Sequence, residues 1–156
     1  MEKIKFRISK NSKYIDGDIF YNNNEFIFDS NIGKGEFSLM IGKGYCELSV
    51  ARFNSKVYSF EGINNKEEWI SKKLIFPKSI KGELYFISDT IDIINYDGIW
   101  YVEDWDTYYD KDNNYICLGD FNTNYYDTAI EFCKNIVAVI EEDKLKSIWI
   151  KNIKFY

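Results

Sequence analysis

The chain has no histidine among its 156 residues, which excludes every mechanism that depends on an imidazole. A Ser-His-Asp triad, a histidine general base and a histidine-bearing zinc site all require that side chain. The three cysteines, at positions 46, 117 and 133, lack the CxxC spacing of zinc ribbons and redox dithiols. We therefore expect three free thiols packed as small apolar side chains, in a reducing compartment, with no metal and no cofactor.

Long hydrophobic runs are also missing, because no apolar stretch approaches the roughly 18 residues that a membrane-spanning helix requires. The first ten residues alternate charged and apolar side chains, and they lack the apolar segment of a secretory signal. A cytoplasmic protein with no membrane partner is the expectation. Hydrophobic residues make up 46% of the chain, and proline occurs once, at Pro77. One sizeable core can form, so a single domain over residues 1–156 is predicted.

Alternation of apolar and polar side chains with a period of two dominates the sequence and predicts β-strands. Two Gly-Lys-Gly triplets and the pair Asp97-Gly98 mark tight reversals between them. The pattern predicts a mainly-β fold, either an antiparallel β-sandwich or an open barrel. The predicted strands cover residues 4–8, 19–21, 26–28, 37–41, 46–50, 57–60, 83–88, 91–95, 99–103, 115–118, 136–140 and 145–150.

Two short segments favour helix instead. Asn64 and Asn65 are capping residues, and Glu67 and Glu68 follow at capping-box distance, which predicts at most two helical turns. The segment 127–133 begins with the capping pair Asp-Thr and is predicted as a second short helix.

The net charge of −5 is distributed unevenly. Residues 83–143 carry fifteen carboxylates and two lysines, whereas the segments before and after them each carry a net charge of +4. The densest part is the decapeptide 103–112, where Trp105 is the best candidate for an exposed aromatic side chain. Trp100 and Trp149 lie in apolar segments and are predicted to be core residues. No basic stripe is present to neutralise phosphates, so DNA and RNA are not expected as ligands.

Carboxylates in this segment also raise the question of metal or acid–base chemistry. Asp110, Asp112 and Asn114 have the spacing that begins a calcium loop, but Tyr115 and Phe121 stand where glycine and a bidentate glutamate are required. Paired carboxylates such as Glu103 and Asp106 are the groups used in glycoside hydrolysis. A chain with 25 acidic residues offers such pairs without any catalytic role, so we do not expect an enzyme.

The chain resembles bacterial immunity proteins of contact-dependent growth-inhibition and other polymorphic toxin systems. The resemblance is one of type: the chain is small, acidic and rich in Asn, Lys, Ile and Tyr, and the stretches 118–120, 129–132, 136–140 and 145–150 have the character of such a protein. No shared motif exists, so no site residue is transferred. The resemblance implies a non-catalytic inhibitor that binds the toxin domain of a large exported protein, with a nuclease as the leading case.

Acidic and aromatic side chains in one block are typical of a surface that binds a cationic protein. The carboxylates would pair with the Lys and Arg side chains that hold phosphates in the toxin, while the aromatic rings would exclude water. A solvated acidic loop is the alternative reading of this block. A β-barrel that binds a small ligand and an acidic nucleic-acid mimic remain open as alternative functions, and the oligomeric state is not predicted. The predicted contact patch consists of Glu103, Asp104, Trp105, Asp106, Tyr108, Tyr109, Asp110 and Asp112.

Overall fold

Two β-sheets packed face to face form a sandwich in the computed structural model, which describes residues 4–11, 14–33, 35–43, 45–88 and 97–156. The first sheet has the strand order β1-β8-β12-β13-β14-β11-β10-β7, and the second has the order β15-β2-β3-β6-β5-β4-β9. The strands are β1 (Ile4–Lys10), β2 (Ile19–Asn22), β3 (Ile27–Ser30), β4 (Phe37–Ile41), β5 (Tyr45–Val50), β6 (Val57–Ile63), β7 (Ile70–Ser71), β8 (Ile80–Ser88), β9 (Gly98–Val102), β10 (Thr107–Asp110), β11 (Tyr115–Gly119), β12 (Thr128–Cys133), β13 (Ile136–Glu141), β14 (Lys144–Lys151) and β15 (Lys154–Phe155).

The predicted mainly-β sandwich is confirmed, and the arrangement is not a closed barrel. The pairing is mixed rather than purely antiparallel, because among the described strands each sheet contains two parallel pairs: β8–β12 and β7–β10 in the first, β2–β15 and β4–β9 in the second. The chain passes repeatedly from one sheet to the other, as between β8, β9 and β10. A strand that arrives from the opposite sheet is not constrained by a hairpin, so it can pair in either direction.

Aromatic and branched side chains fill the space between the sheets. Phe28, Phe37 and Phe60 are fully buried, and the rings of Phe28 and Phe60 lie 5.2 Å apart. A second, smaller apolar cluster lies on the opposite face of the first sheet, where Phe76 packs against the fully buried Trp149 and Phe121 packs against Tyr108. The first sheet is therefore apolar on both faces, which explains the uninterrupted apolar run of β13.

The two helix predictions have different outcomes. The first predicted helix is present as a single 3-10 turn, Lys66–Glu68. The Asn65 side chain caps it by accepting a hydrogen bond from the Glu67 N–H at 2.9 Å. The second is wrong, because residues 128–133 form β12, which pairs with β13 on one side and with β8 on the other. Pairing on both edges satisfies the backbone of β12, and its branched residues Thr128 and Ile130 suit a strand.

Other predictions concern the tryptophans, the cysteines and the segment before β9. Trp149 is buried as predicted, whereas Trp100 is 39% exposed rather than a core residue. All three cysteines are free and buried, and burial raises the pKa of Cys46 and of Cys133 to about 12.

The predicted strand 91–95 lies outside the described residues. Within the described part of the chain, no helix has the length and apolar character needed to cross a bilayer.

Candidate functional site

The acidic decapeptide 103–112 begins in the loop that joins β9 to β10, at one end of the sandwich. Backbone hydrogen bonds hold the loop at both ends: the Gly42 N–H donates to the Val102 carbonyl (3.0 Å), and the Gly119 N–H donates to the Asp106 carbonyl (3.1 Å). Glu103 and Asp104, in the middle of this loop, are exposed. The two carboxylates are therefore presented from a loop whose ends are fixed.

Trp105 turns inward from this loop, and the prediction that it is exposed is wrong. Its indole is partly buried and packs against the main core, with the ring of Tyr101 edge-on at 6.3 Å. Gly119 makes room for it, because a Cβ at that position would lie 3.0 Å from two atoms of the indole ring. The acidic neighbours of Trp105 in the sequence therefore do not determine where its side chain packs.

Asp106 forms an ion pair with Lys43, from the turn between β4 and β5, at 2.5 Å. This contact and the negative charge of Asp106 raise the pKa of Lys43, with smaller contributions from Glu68 and Asp104. Three carboxylates thus act on one ammonium group, and the surroundings of Lys43 are net negative. We call the five residues Lys43, Glu68, Glu103, Asp104 and Asp106 the acidic end.

A cavity of about 230 Å³ opens beside the ion pair. Beneath it, Asn64 links the two sheets: its side-chain oxygen accepts a hydrogen bond from the Trp69 indole N–H (2.6 Å), and its amide group donates to the Thr107 hydroxyl (3.0 Å). Asn64 is 5% exposed, so this link lies in the interior and gives the cavity a fixed floor. The walls are formed by Lys43, Asn64, Glu68, Trp69, Trp105, Asp106 and Thr107.

Tyr108 and Tyr109 lie on opposite faces of β10 and do not contribute to a common surface. Tyr109 points into the main core, where its ring lies 5.2 Å from that of Trp69. Tyr108 packs on the outer cluster against Phe121 at 4.8 Å. Burial raises the pKa of both phenols. The period of two in a strand imposes this separation, which a list of neighbouring aromatic residues does not reveal.

Asp110 has a structural role. Its carboxylate accepts hydrogen bonds from the Leu74 N–H (2.9 Å) and from the backbone and side-chain nitrogens of Asn113 (3.2 and 3.0 Å). The bonds from Asn113 and Leu74 hold the pKa of Asp110 below its usual value. Because protein donors occupy this carboxylate, Asp110 is neither an exposed member of the patch nor a candidate calcium ligand.

Asp112 is exposed in the turn after β10, away from the acidic end. The four residues of β10 separate the two places by roughly 14 Å. The structure therefore places Glu103, Asp104 and Asp106 on one loop, with Asp106 paired to Lys43, and it places the other predicted residues in the interior or at a distance.

Two residues of the acidic end, Lys43 and Glu68, were not among the predicted site residues. The sequence marks both only as turn and helix residues, and their approach to Asp106 depends on how the two sheets pack.

Within the described residues, no group of three or more histidine, cysteine, aspartate or glutamate side chains is arranged to hold a metal ion. No protein-family model and no curated protein matches the chain.

Proposed function

We propose that the acidic end binds a basic protein surface, and that the chain is a cytoplasmic, non-catalytic immunity protein that neutralises a cognate toxin domain. The leading toxin class is a nuclease, whose substrate-binding surface carries lysine and arginine side chains. One observation carries the proposal: Asp106, paired with Lys43, lines an open cavity together with Glu68, beside the loop that presents the exposed Glu103 and Asp104.

Net negative surroundings favour a cationic partner in two ways. A concentrated negative field increases the rate at which a basic surface is encountered. Carboxylates also form strong, bidentate hydrogen bonds with guanidinium groups. The acidic end offers both features on a loop that is held at each end by backbone hydrogen bonds.

The existing ion pair does not block such a partner. The Lys43 and Asp106 side chains are 55% and 40% exposed. An ion pair between exposed side chains contributes little to stability, so a partner's arginine can replace Lys43 at Asp106 at little cost. The cavity beside Asp106 offers space for the incoming side chain.

The alternative functions receive less support from the structure. A small-ligand barrel would bind its ligand in the mouth of the barrel, but the space between these sheets is filled by Phe28, Phe37 and Phe60. A nucleic-acid mimic needs carboxylates spaced along an extended surface, whereas Asp110, in the middle of the decapeptide 103–112, is buried and accepts hydrogen bonds from the chain itself.

The test takes the product of the adjacent upstream reading frame as the candidate toxin and compares the wild type with the double variant Glu103→Lys/Asp104→Lys. Both side chains are exposed and make no described ion pair, so the fold should be unaffected. At low salt we expect the association rate constant to fall about tenfold or more, because the field at the acidic end is reversed.

Asp112→Lys is the matched control, since it also reverses the charge of an exposed carboxylate in the acidic segment. The control comparison is made at about 0.1 M salt, where the screening length is about 10 Å and shorter than the distance from Asp112 to the acidic end. There Asp112→Lys should change the rate constant by no more than about twofold, and the double variant should lower it by more than that. Equal rates for the wild type and the double variant would reject the site. Failure of the wild-type chain to bind the adjacent gene product would reject the immunity function.

A further inference from the structure

Two exposed aromatic rings lie on the outer face of the second sheet. Tyr45 begins β5 and is 68% exposed, and Trp100 lies in β9. Their neighbours along the strands, Cys46 and Ile99, pack in the main core, so the alternation of side chains turns both rings outward. The ring centroids are 6.3 Å apart. The exposed Ile63 lies directly opposite Tyr45 on β6. We call Tyr45, Ile63 and Trp100 the outer patch.

A carboxylate lies on the same face, beside the rings. Glu47 is two residues from Tyr45 along β5, and the same sheet row continues through Met40 of β4 to Trp100 of β9. The Glu47 side chain is partly buried, and in the described part of the chain it has no hydrogen-bond or ion-pair partner. Glu61 lies opposite Glu47 on β6 but is buried. Glu47 is therefore the anionic group that a partner can reach from the rings.

The outer patch adjoins the acidic end. Tyr45 is two residues from Lys43, and Trp100 is three residues from Glu103, so the Cα atoms are at most about 7 and 11 Å apart. The Lys43 ammonium group is engaged by Asp106 and leaves the outer patch without a cation of that turn. An interface of ordinary size, about 800 Å² on each partner, would cover both places. A second copy of the chain would instead bring like charges together.

We propose that the outer patch and Glu47 bind an arginine side chain of a protein partner. A guanidinium group is planar and weakly hydrated, stacks on aromatic rings and pairs with a carboxylate through two hydrogen bonds. Tyr45 and Trp100 supply the rings, and Glu47 supplies the carboxylate. Exposed tyrosine and tryptophan are also among the side chains that contribute most to protein interfaces. The identity of this partner as the toxin rests on the proposed function, whereas the arginine site does not.

The first test is a titration of the wild-type protein with N-acetyl-arginine amide, followed by the indole N–H NMR resonance of Trp100. We expect a saturable shift. N-acetyl-citrulline amide has nearly the same shape without the charge and should bind at least about tenfold more weakly. Equal binding of the two compounds, or no saturable shift, would overturn the proposal. An indole shift that depends on protein concentration alone would show that a second copy covers the rings, with the same consequence.

Three variants test whether binding occurs at the outer patch. Glu47→Gln keeps the size of the side chain and should weaken arginine binding by at least about fivefold. Tyr45→Ala should abolish the saturable shift. Tyr125→Ala is the matched control, because Tyr125 is an exposed tyrosine in the loop before β12, which belongs to the other sheet. Arginine binding that is unaffected by Tyr45→Ala, or equally weakened by Tyr125→Ala, would overturn the proposal.

The product of the adjacent upstream reading frame tests the partner. Aromatic contacts act mainly on the dissociation rate constant, so Tyr45→Ala should raise it at least about tenfold and change the association rate constant by no more than about twofold. Glu103→Lys/Asp104→Lys should act mainly on association. If the product binds the wild type and Tyr45→Ala dissociates no faster, the outer patch is wrong and the proposed function stands. If the product does not bind the wild type, the proposed function is wrong, and the arginine titration still decides the arginine site.

Discussion

Gly119 and Trp105 show how one residue without a side chain determines where a large side chain packs. The backbone of Gly119 has a φ of +98°, a conformation that favours glycine, and its Cα faces the indole ring of Trp105. Trp105 is therefore partly buried against the core even though Asp104 and Asp106 flank it. For single residues, the sequence predicted that the β9–β10 loop belongs to the candidate site. It did not allow us to predict which side chains point inward and which point to solvent.

We predict that Gly119→Ala destabilises the protein and disturbs the acidic end. The new Cβ would lie 2.7 Å from the Lys146 carbonyl oxygen and 3.0 Å from the Trp105 ring, on a left-handed backbone. The expected loss in the free energy of unfolding is about 2 kcal/mol, measured by urea denaturation. Gly33→Ala is the control, because no atom lies within 4 Å of a Cβ at that position. Equal losses for the two variants would contradict this packing.

At the scale of elements, alternation located most of the strands, and the exceptions have physical causes. The period of two is clear in β4 and β5, whose apolar residues face one core. It is hidden in β12, where the capping residues Asp127 and Thr128 imitate the start of a helix. β10 was read as surface because its residues are acidic or aromatic, although it carries apolar contacts on both faces.

The parallel pairings depend on tertiary contacts alone. The pairs β7–β10, β8–β12 and β2–β15 each comprise only two residues in register, so no local signal specifies them. The proximity of Lys43 and Glu68 to Asp106 has the same origin, since these residues come from a turn, a 3-10 helix and a loop that meet only in the folded sandwich. The acidic character of the candidate site could therefore be predicted from the sequence, but the full set of residues that form it could not.

The turn after β10 gives a pH-dependent prediction through Asp110. Its pKa is lower in the folded than in the unfolded chain, so its carboxylate stabilises the fold above the unfolded value of about 3.9, and this stabilisation is lost as the pH falls through the lowered folded value. Asp110→Ala should unfold at a lower urea concentration at neutral pH, and the difference from the wild type should shrink as the pH falls below about 4.

Asp112→Ala is the control for this element, because Asp112 is exposed in the same turn. Its urea midpoint should stay close to that of the wild type at neutral pH. An unchanged midpoint for Asp110→Ala, or a difference from the wild type that persists at low pH, would show that the hydrogen bonds from Leu74 and Asn113 do not stabilise the fold.

At the scale of the whole molecule, the negative charge of residues 83–143 is distributed over several places. Part of it is balanced by basic residues from elsewhere in the chain, as in the pairs Arg52–Asp97, Lys56–Glu83 and Lys146–Asp127. At the acidic end, Asp106 pairs with the exposed Lys43, and Glu68 and Asp104 also act on its ammonium group. The proposed function therefore depends on a smaller surface than the decapeptide 103–112.

The association rate constant with the cognate toxin domain, measured against ionic strength, tests the central claim most directly. If the acidic end attracts a basic surface, the rate constant should fall steeply between about 0.01 and 0.15 M salt, where the screening length shortens from about 30 to 8 Å. The Glu103→Lys/Asp104→Lys variant should show a much shallower dependence. A wild-type rate constant that does not change with salt would contradict the account.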